Sequence, residues 1–373
     1  MNHNELLYKI GVGLIHGLGP VNSKSLISGL GSAKAVFSAS KSDLLGIPGI
    51  AEKGADKIIK HRNVLSEAEK ELKFIEKHNI RTYFYADKDY PYYLKQCPDA
   101  PTILYSKGDL DLQNRNTLSI IGTRKATPYG KDLCRKLISE LADRGHNPVI
   151  VSGLAYGIDS CAHQAALDSG LDTVAVLGHG LDRIYPMKHR NLAKQIVEQG
   201  ALITEFMSNS EFKRQNFVQR NRIIAGITQA TVIAESAKSG GSLITAELAN
   251  SYSREVFAFP GRLGDAVSEG CNNLIKTHRA VLLQSADDIE YLLSWEKGKD
   301  EGRQKQLFVE LSEDEEKIAG ELNNGKLIST DELSRNTGMP TFKVSSILLE
   351  LEFKGVVRTL PGKMYEISGN VNF

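Results

Sequence analysis

The chain has 373 residues, 41% hydrophobic and 24% charged, with 46 Lys plus Arg against 45 Asp plus Glu and a net charge of +1. That is an ordinary globular balance, long enough for two or three domains and able to bury a core without staples, so any affinity for a polyanion has to come from local basic clusters. Cys97, Cys134, Cys161 and Cys271 form no C-x-x-C pair, the N-terminus lacks the regions of a signal peptide, and no apolar run approaches the roughly 18 residues of a membrane span, so a cytoplasmic protein with reduced thiols, no metal and no membrane anchor is expected.

Residues 1–65 read as short helices punctuated by glycine. Ile15-His16-Gly17-Leu18-Gly19 and Leu45-Gly46-Ile47-Pro48-Gly49-Ile50-Ala51 each join two helical runs through a tight turn. Both resemble a helix-hairpin-helix, in which glycines let amides at a helix N-terminus face a phosphate. The second copy has Ala51 where that motif has its second glycine, and a small helical packing domain is the competing reading. Residues 66–80 read as a connecting helix.

From about 82 to 295 short β-rich runs alternate with amphipathic helices. The strands predicted are Thr82–Ala86, Leu118–Ile121, Pro148–Ser152, Thr173–Leu177, Ala201–Thr204, Thr231–Ala234, Glu255–Phe259 and Ala280–Leu283. Such alternation predicts an α/β domain, a parallel sheet with helices on both faces, whose ligands sit at the C-terminal ends of the strands. Residues 296–311 open with the charged run EKGKDEGRQKQ and read as a linker. In residues 312–373, Ser312 with Glu315 and Ser329 with Glu332 form capping-box starts, and Pro340 suits the first turn of a third helix. Val356–Thr359, a Pro361-Gly362 turn and Met364–Ile367 complete the order of a winged helix.

Nearly every central strand runs into a loop of small residues, glycines and bases. They are Gly122-Thr123-Arg124-Lys125, Ser152-Gly153 through Gly157 to Asp159, Gly178-His179-Gly180 through Asp182-Arg183 to Tyr185-Pro186, Ser239-Gly240-Gly241-Ser242, and Pro260-Gly261. Glycine at a strand-to-helix turn lets a ligand oxygen reach main-chain amides, and the helix adds partial positive charge. Thr123, Ser152 and Ser242 add hydroxyl donors, and Arg124 can hold a phosphate bidentately. The first four of these loops, in succession, point to a phosphate-bearing ligand. Neither G-x-G-x-x-G nor G-x-x-x-x-G-K-[ST] occurs, so NAD and P-loop nucleotide sites lose support. The segment 211–222, EFKRQNFVQRNR, mixes four bases with two phenylalanines and amides, a mixture that suits a single nucleic-acid strand. A second basic run is Lys188-His189-Arg190; for either run a solvated helix face is the alternative. Asp159 after its glycine turn is read as an orienter of backbone amides. No H-E-x-x-H or G-x-S-x-G pattern marks a catalytic centre, so no catalysed reaction is expected.

The ordered motifs SIIGTR (119–124), SGLAYGID (152–159), GHGLDRIYP (178–186), FVQRNR (217–222), SGGS (239–242), FPG (259–261) and GCNNLI (270–275) resemble the DNA-processing protein A (DprA/Smf) family across the whole central domain. The resemblance implies an extended Rossmann-like central domain, a small all-α N-terminal domain and a winged-helix C-terminal domain. It implies a homodimer that binds and protects incoming single-stranded DNA during natural transformation and loads the RecA recombinase, without a cofactor. Phosphate-binding roles carry over to Gly122, Thr123, Arg124, Ser152, Gly153, Gly240, Gly241 and Ser242. Arg220 and Arg222 match the family's basic run, and its basic residue after Tyr-Pro falls among Lys188, His189 and Arg190. Phe217 or Tyr156 is a candidate for base stacking. The implied dimer contact falls on Ile275 and Val281. The third tail helix sets Lys343 and Lys354 against Glu350 and Glu352, a poor match to a polyanion, so the tail is expected to contact protein or stabilise the dimer and to read no base sequence. The alternative function is a nucleotide phosphoribohydrolase-like enzyme, whose P-G-G-x-G-T-x-x-E motif corresponds to 239–247; Glu247 matches, but Leu243 and Ile244 replace its Gly and Thr.

Overall fold

The computed structural model describes residues 3–108, 112–113, 115–295, 311–322, 328–354, 356–360 and 364–367. The chain divides into two compact units, Met1–Lys299 and Asp300–Phe373. The expected linker, but for Leu311, and the Pro361-Gly362 turn lie outside the described residues.

Six helices open the first unit: α1 (His3–Leu14), α2 (Pro20–Leu30), α3 (Ala33–Ser38), α4 (Lys41–Leu45), α5 (Glu52–Lys60) and α6 (Leu65–Lys77). The two glycine turns sit where the sequence places them. Gly17 and Gly49 take φ of +79° and +87°, a backbone that side chains with a Cβ rarely adopt, and α2 and α5 start just beyond them. Val12, Leu26, Val36, Leu44 and Ile58 pack the core of this layer. Buried Glu71 of α6 fastens it to the sheet domain by accepting the Ser208 amide at 3.0 Å.

The sheet has nine strands: β1 (Arg81–Phe84), β2 (Ile103–Lys107), β3 (Thr117–Ile121), β4 (Val149–Ser152), β5 (Thr173–Val176), β6 (Gly200–Thr204), β7 (Ala230–Ile233), β8 (Glu255–Ala258) and β9 (Val281–Leu282). Their spatial order is β1-β2-β6-β5-β4-β3-β7-β8-β9. Every pair from β6 to β9 is parallel, while β2 runs antiparallel to β6 and β1 antiparallel to β2. All eight predicted strands form; β2 is the addition, and with it the sheet is mixed.

Helices α7 (Tyr92–Lys95), α8 (Pro128–Asp143), α9 (Ile158–Asp168), α10 (Arg190–Gln199), α11 (Arg214–Gly226), α12 (Gly241–Ser251), α13 (Glu269–Lys276) and α14 (Ala286–Leu293) complete the unit. Alternate side chains of a strand point to opposite faces. Accordingly Val149 and Val151 pack with Ile223 and Ala246 of α11 and α12, and Ile150 packs with Leu137 and Ala162 of α8 and α9. The fold is therefore a Rossmann-like α/β layer structure. Moving outward from β3, the strand order climbs through β4, β5 and β6 on one side and through β7 and β8 on the other. The loops after β3 and β7 part at this switch point, where such sheets open a crevice.

The second unit holds α15 (Glu313–Leu322), α16 (Thr330–Thr337) and α17 (Thr341–Phe353), with β10 (Ile328–Ser329), β11 (Val357–Leu360) and β12 (Met364–Ile367) in the order β10-β12-β11. Its core is Ile318, Leu322, Leu333, Val344, Leu348 and Leu351. The first predicted capping box forms in full, with Glu315 accepting the Ser312 amide at 2.8 Å and Ser312 the Glu315 amide at 3.4 Å; of the second only the N-cap half is present, Ser329 accepting the Glu332 amide at 3.3 Å. Three helices and a β-hairpin make this a winged helix.

Candidate nucleic-acid interface

A cleft of about 1000 Å³ opens at the switch point. Its lining includes Gly122, Thr123 and Arg124 beyond β3, Ser239 to Ser242 beyond β7, and the face of α11 that carries Arg214, Phe217, Arg220 and Asn221. The glycines around it serve two different purposes. A Cβ on Gly122 would lie 2.5 Å from Ile158 Cγ1 and 2.8 Å from the Glu235 carbonyl oxygen, so this glycine lets two loops close on each other. The Thr123 amide, meant for a phosphate, already donates to the Glu235 carbonyl oxygen at 2.7 Å. Gly153 makes room for Arg220 and Asp159.

Gly240 and Gly241 differ. Both are exposed, and a Cβ on Gly241 would meet nothing closer than Asn221 Nδ2 at 3.8 Å. They begin α12, which no side chain caps. The first amides of a helix have no intrahelical partner and carry the positive end of its dipole, so they are open to an anion. Ser242 is buried beside them, its hydroxyl 2.8 Å from that of Ser236. Arg124 is exposed and, among the described residues, neither it nor Arg214 has an ion-pair partner.

The cleft floor carries two buried opposite charges, Asp159 and Arg220, which influence each other without an ion contact among the described residues. Asp159 and Arg220 both border Gly153. Arg220 donates to the Val176 carbonyl oxygen, and Asp159 accepts the Ala155 amide at 3.4 Å. Burial pushes the Asp159 carboxyl up, against the pull of Arg220, and burial draws Arg220 down to about 10 while Asp159 holds it up. The pair ties the loops after β4 and β5 to α11. Beneath it His163 is fully buried against the Thr173 hydroxyl at 2.7 Å, and burial takes its imidazole down to about 3, so it stays neutral.

One wall is aromatic. Tyr185 and Phe212 lie 4.9 Å apart, centroid to centroid, and Phe217 is 5.6 and 5.3 Å from them. Tyr185 and Phe212 are exposed and Phe217 half-buried, so rings face the cleft beside the anion positions.

Several predicted residues lie elsewhere. Ser152 is fully buried, and its hydroxyl donates to the Ile120 carbonyl oxygen at 2.7 Å; it serves the sheet. Arg222 points away from the cleft and is paired with buried Glu205 at 2.5 Å. Residues two apart on a helix do not share a face, so Arg220 and Arg222 cannot both line one cleft. Lys188 and Arg190 are exposed but outside the cleft lining, on the turn that holds His189 to the Leu154 carbonyl oxygen at 2.8 Å. Tyr156 is also outside it. Ile275 packs against the core, whereas Val281 is exposed on edge strand β9. Glu247 lines the cleft but is paired with Arg279 at 3.2 Å. Arg214, Asn221 and Phe212 line the cleft as members of the 211–222 run, to which the sequence argument gave only a collective role, and Tyr185 lines it from the 178–186 loop. The spacing 214, 217, 221, 224 on α11 is the signal for the first two, because it follows one helix face.

The described residues contain no cluster of three metal-ligating side chains and no helix long and apolar enough to cross a membrane. Residues 81–294 match the family model of DNA recombination-mediator protein A, residues 305–363 that of the DprA winged helix domain, and residues 14–63 that of a SAM-like helix-hairpin-helix tandem. The chain is 32% identical to the protein Smf of Synechocystis sp. over 98% of its own length and all of that protein. It is 39% identical to the DNA processing protein DprA of Streptococcus pneumoniae over 54% of this chain and 71% of that protein. The crystal structure of the S. pneumoniae protein superposes with a TM-score of 0.64 at 31% identity, covering 76% of this chain and 97% of that one. DNA processing protein A from Helicobacter pylori, solved for its single-stranded DNA binding mode, gives a TM-score of 0.52 at 30% identity, covering 58% and 95%.

Proposed function

Since the chain belongs to the DNA recombination-mediator protein A (DprA/Smf) family, we propose that it binds single-stranded DNA in the cleft at the sheet's switch point, protects incoming strands during natural transformation and loads RecA onto them. The observation that carries this reading is the uncapped, glycine-opened N-terminus of α12 in the same cleft as unpaired Arg124 and the ring wall. Backbone phosphates go to the amides of Gly240, Gly241 and Ser242 and to Arg124, with Arg214 beside them. Bases lie against Phe217, Tyr185 and Phe212. Gly122, Thr123, Gly153, Asp159 and Arg220 position these groups. A second copy meets this one along β9 at Val281. The protein works without cofactor or catalysed step in the cytoplasm; a phosphoribohydrolase would have to free Glu247 from Arg279.

A gel-shift with single-stranded and duplex oligonucleotides at two salt concentrations tests the reading. The parent prefers the single strand and loses affinity as salt rises. Arg124→Ala weakens every sequence alike and reduces the log–log salt slope by about 0.7, one phosphate's worth. Unchanged affinity in that variant overturns the assignment, as does release of free base from nucleoside monophosphates.

A further inference from the structure

Arg124 borders a second concavity. An open groove of about 520 Å³ runs between α8 and α9 and shares Arg124 with the cleft. On its α8 side Lys131 and Arg135 stand four residues apart, on one helix face. Its α9 side, from Ile158 to Asp168, is about 15 Å long at the helical rise. Lys125 stands beside Arg124 at the end shared with the cleft.

The charge along this groove is uneven in a useful way. Among the described residues Arg124, Lys125 and Lys131 have no carboxylate partner. Arg135 holds Asp132 at 2.7 Å, but that is an exposed pair three residues apart on a helix and opens at little cost. The groove's own acid, Asp168, accepts a hydrogen bond from Gln164 at 2.8 Å at the far end. Tyr156, in the lining, is 43% exposed. It is oriented by an edge contact with His189, 5.0 Å between centroids, and His189 is itself fixed to the Leu154 carbonyl oxygen. An oriented, uncovered ring on a run of free cations, continuous with a phosphate-binding cleft, is what an unpaired strand needs. A duplex keeps its base faces stacked inside and has no use for Tyr156.

We propose that the groove between α8 and α9 carries the same single strand onward from the cleft, with Tyr156 stacking a base and Lys125 and Lys131 countering phosphates. This rests on the cleft being a single-strand site, and the test separates the two. Affinity is measured for a short oligothymidylate of about six nucleotides and a long one of about twenty, spanning the range of single-strand site sizes, and for a duplex, in the parent, Lys131→Glu, Tyr156→Ala and Arg124→Ala. Both groove side chains reach solvent, so the variants fold, as melting curves check. Lys131→Glu reduces the salt slope for the long strand by about 0.7. Tyr156→Ala weakens the long strand at least roughly fivefold. Neither changes the short strand, while Arg124→Ala weakens both lengths. Should the groove variants affect both lengths equally, affect neither, or weaken the duplex as much as the long strand, the groove inference falls and the cleft reading stands. Should Arg124→Ala leave both lengths unchanged, the cleft reading falls and takes the groove with it.

Discussion

The cleft in the α/β unit and the third helix of the winged-helix unit both present basic side chains, yet their charges are spent differently. At the cleft Arg124 and Arg214 are unpaired among the described residues and stand with an uncapped helix N-terminus. On α17 Lys343 is paired with Asp314 at 2.6 Å, and Lys354, just past its end, with Glu315 at 2.7 Å. Phe342 and Leu349 on the same helix are 78% and 54% exposed. A count of Lys and Arg would not rank these regions. What ranks them is how far a cation is already engaged by a counter-charge, because opening a held pair offsets part of what neutralising a phosphate gains.

The comparison extends to the cleft floor, where the buried charge of Arg220 is opposed by nearby buried Asp159. Asp159→Asn preserves shape but leaves the buried guanidinium of Arg220 without its opposing charge. It is expected to destabilise the first unit by about 1–3 kcal/mol, read as a lower denaturant midpoint. An unchanged midpoint would show that the pair is not what supports the floor.

Two glycines separate support from contact. Gly122→Ala forces a methyl against Ile158 and the Glu235 carbonyl oxygen and should cost about 1–3 kcal/mol of stability. Gly241→Ala puts a methyl no closer than 3.8 Å to a neighbour, an ordinary contact with Asn221 Nδ2. Stability should stay within about 0.5 kcal/mol of the parent, while single-strand affinity falls because the methyl stands over the α12 amides. Melting and gel-shift on the same preparations decide it. If both substitutions lower stability alike, or Gly241→Ala binds as the parent does, the division between packing glycines and ligand-facing glycines is wrong.

That division also marks how far the sequence could be read. The eight strands predicted between Thr82 and Leu283 follow from alternation with amphipathic helices, and β2 was missed for the same reason. Ile103–Lys107 pairs antiparallel with β1 and β6, so no strand-helix-strand pattern announces it. The loops converge as their glycine content implies, with Gly122 and Gly241 lining one cleft. The sequence does not say which glycine faces a ligand and which faces another loop, because that depends on Ile158, Glu235 and Arg220 arriving from distant parts of the chain. Ser152 shows the same limit: a hydroxyl at a strand end bonds the neighbouring strand as readily as a phosphate. Arg222 is different, since its place two residues from Arg220 on a helix was enough to set it on another face.

The tail carries the smallest expected effect and the sharpest contrast. Residues 307–373, expressed alone, should leave duplex DNA unshifted at near-physiological salt, because Lys343 and Lys354 are already paired. A clear shift would break the comparison. Asp314→Asn sharpens it, since the exposed pair holds little stability and its removal frees the Lys343 ammonium. One freed cation adds at most about 0.9 to a duplex salt slope, too little for tight binding but measurable at low salt. If this variant gains such a slope while the parent shows none, pairing is what silences the helix. If neither gains it, the exposed Phe342 and Leu349 set the character of this face, and its partner is a protein surface.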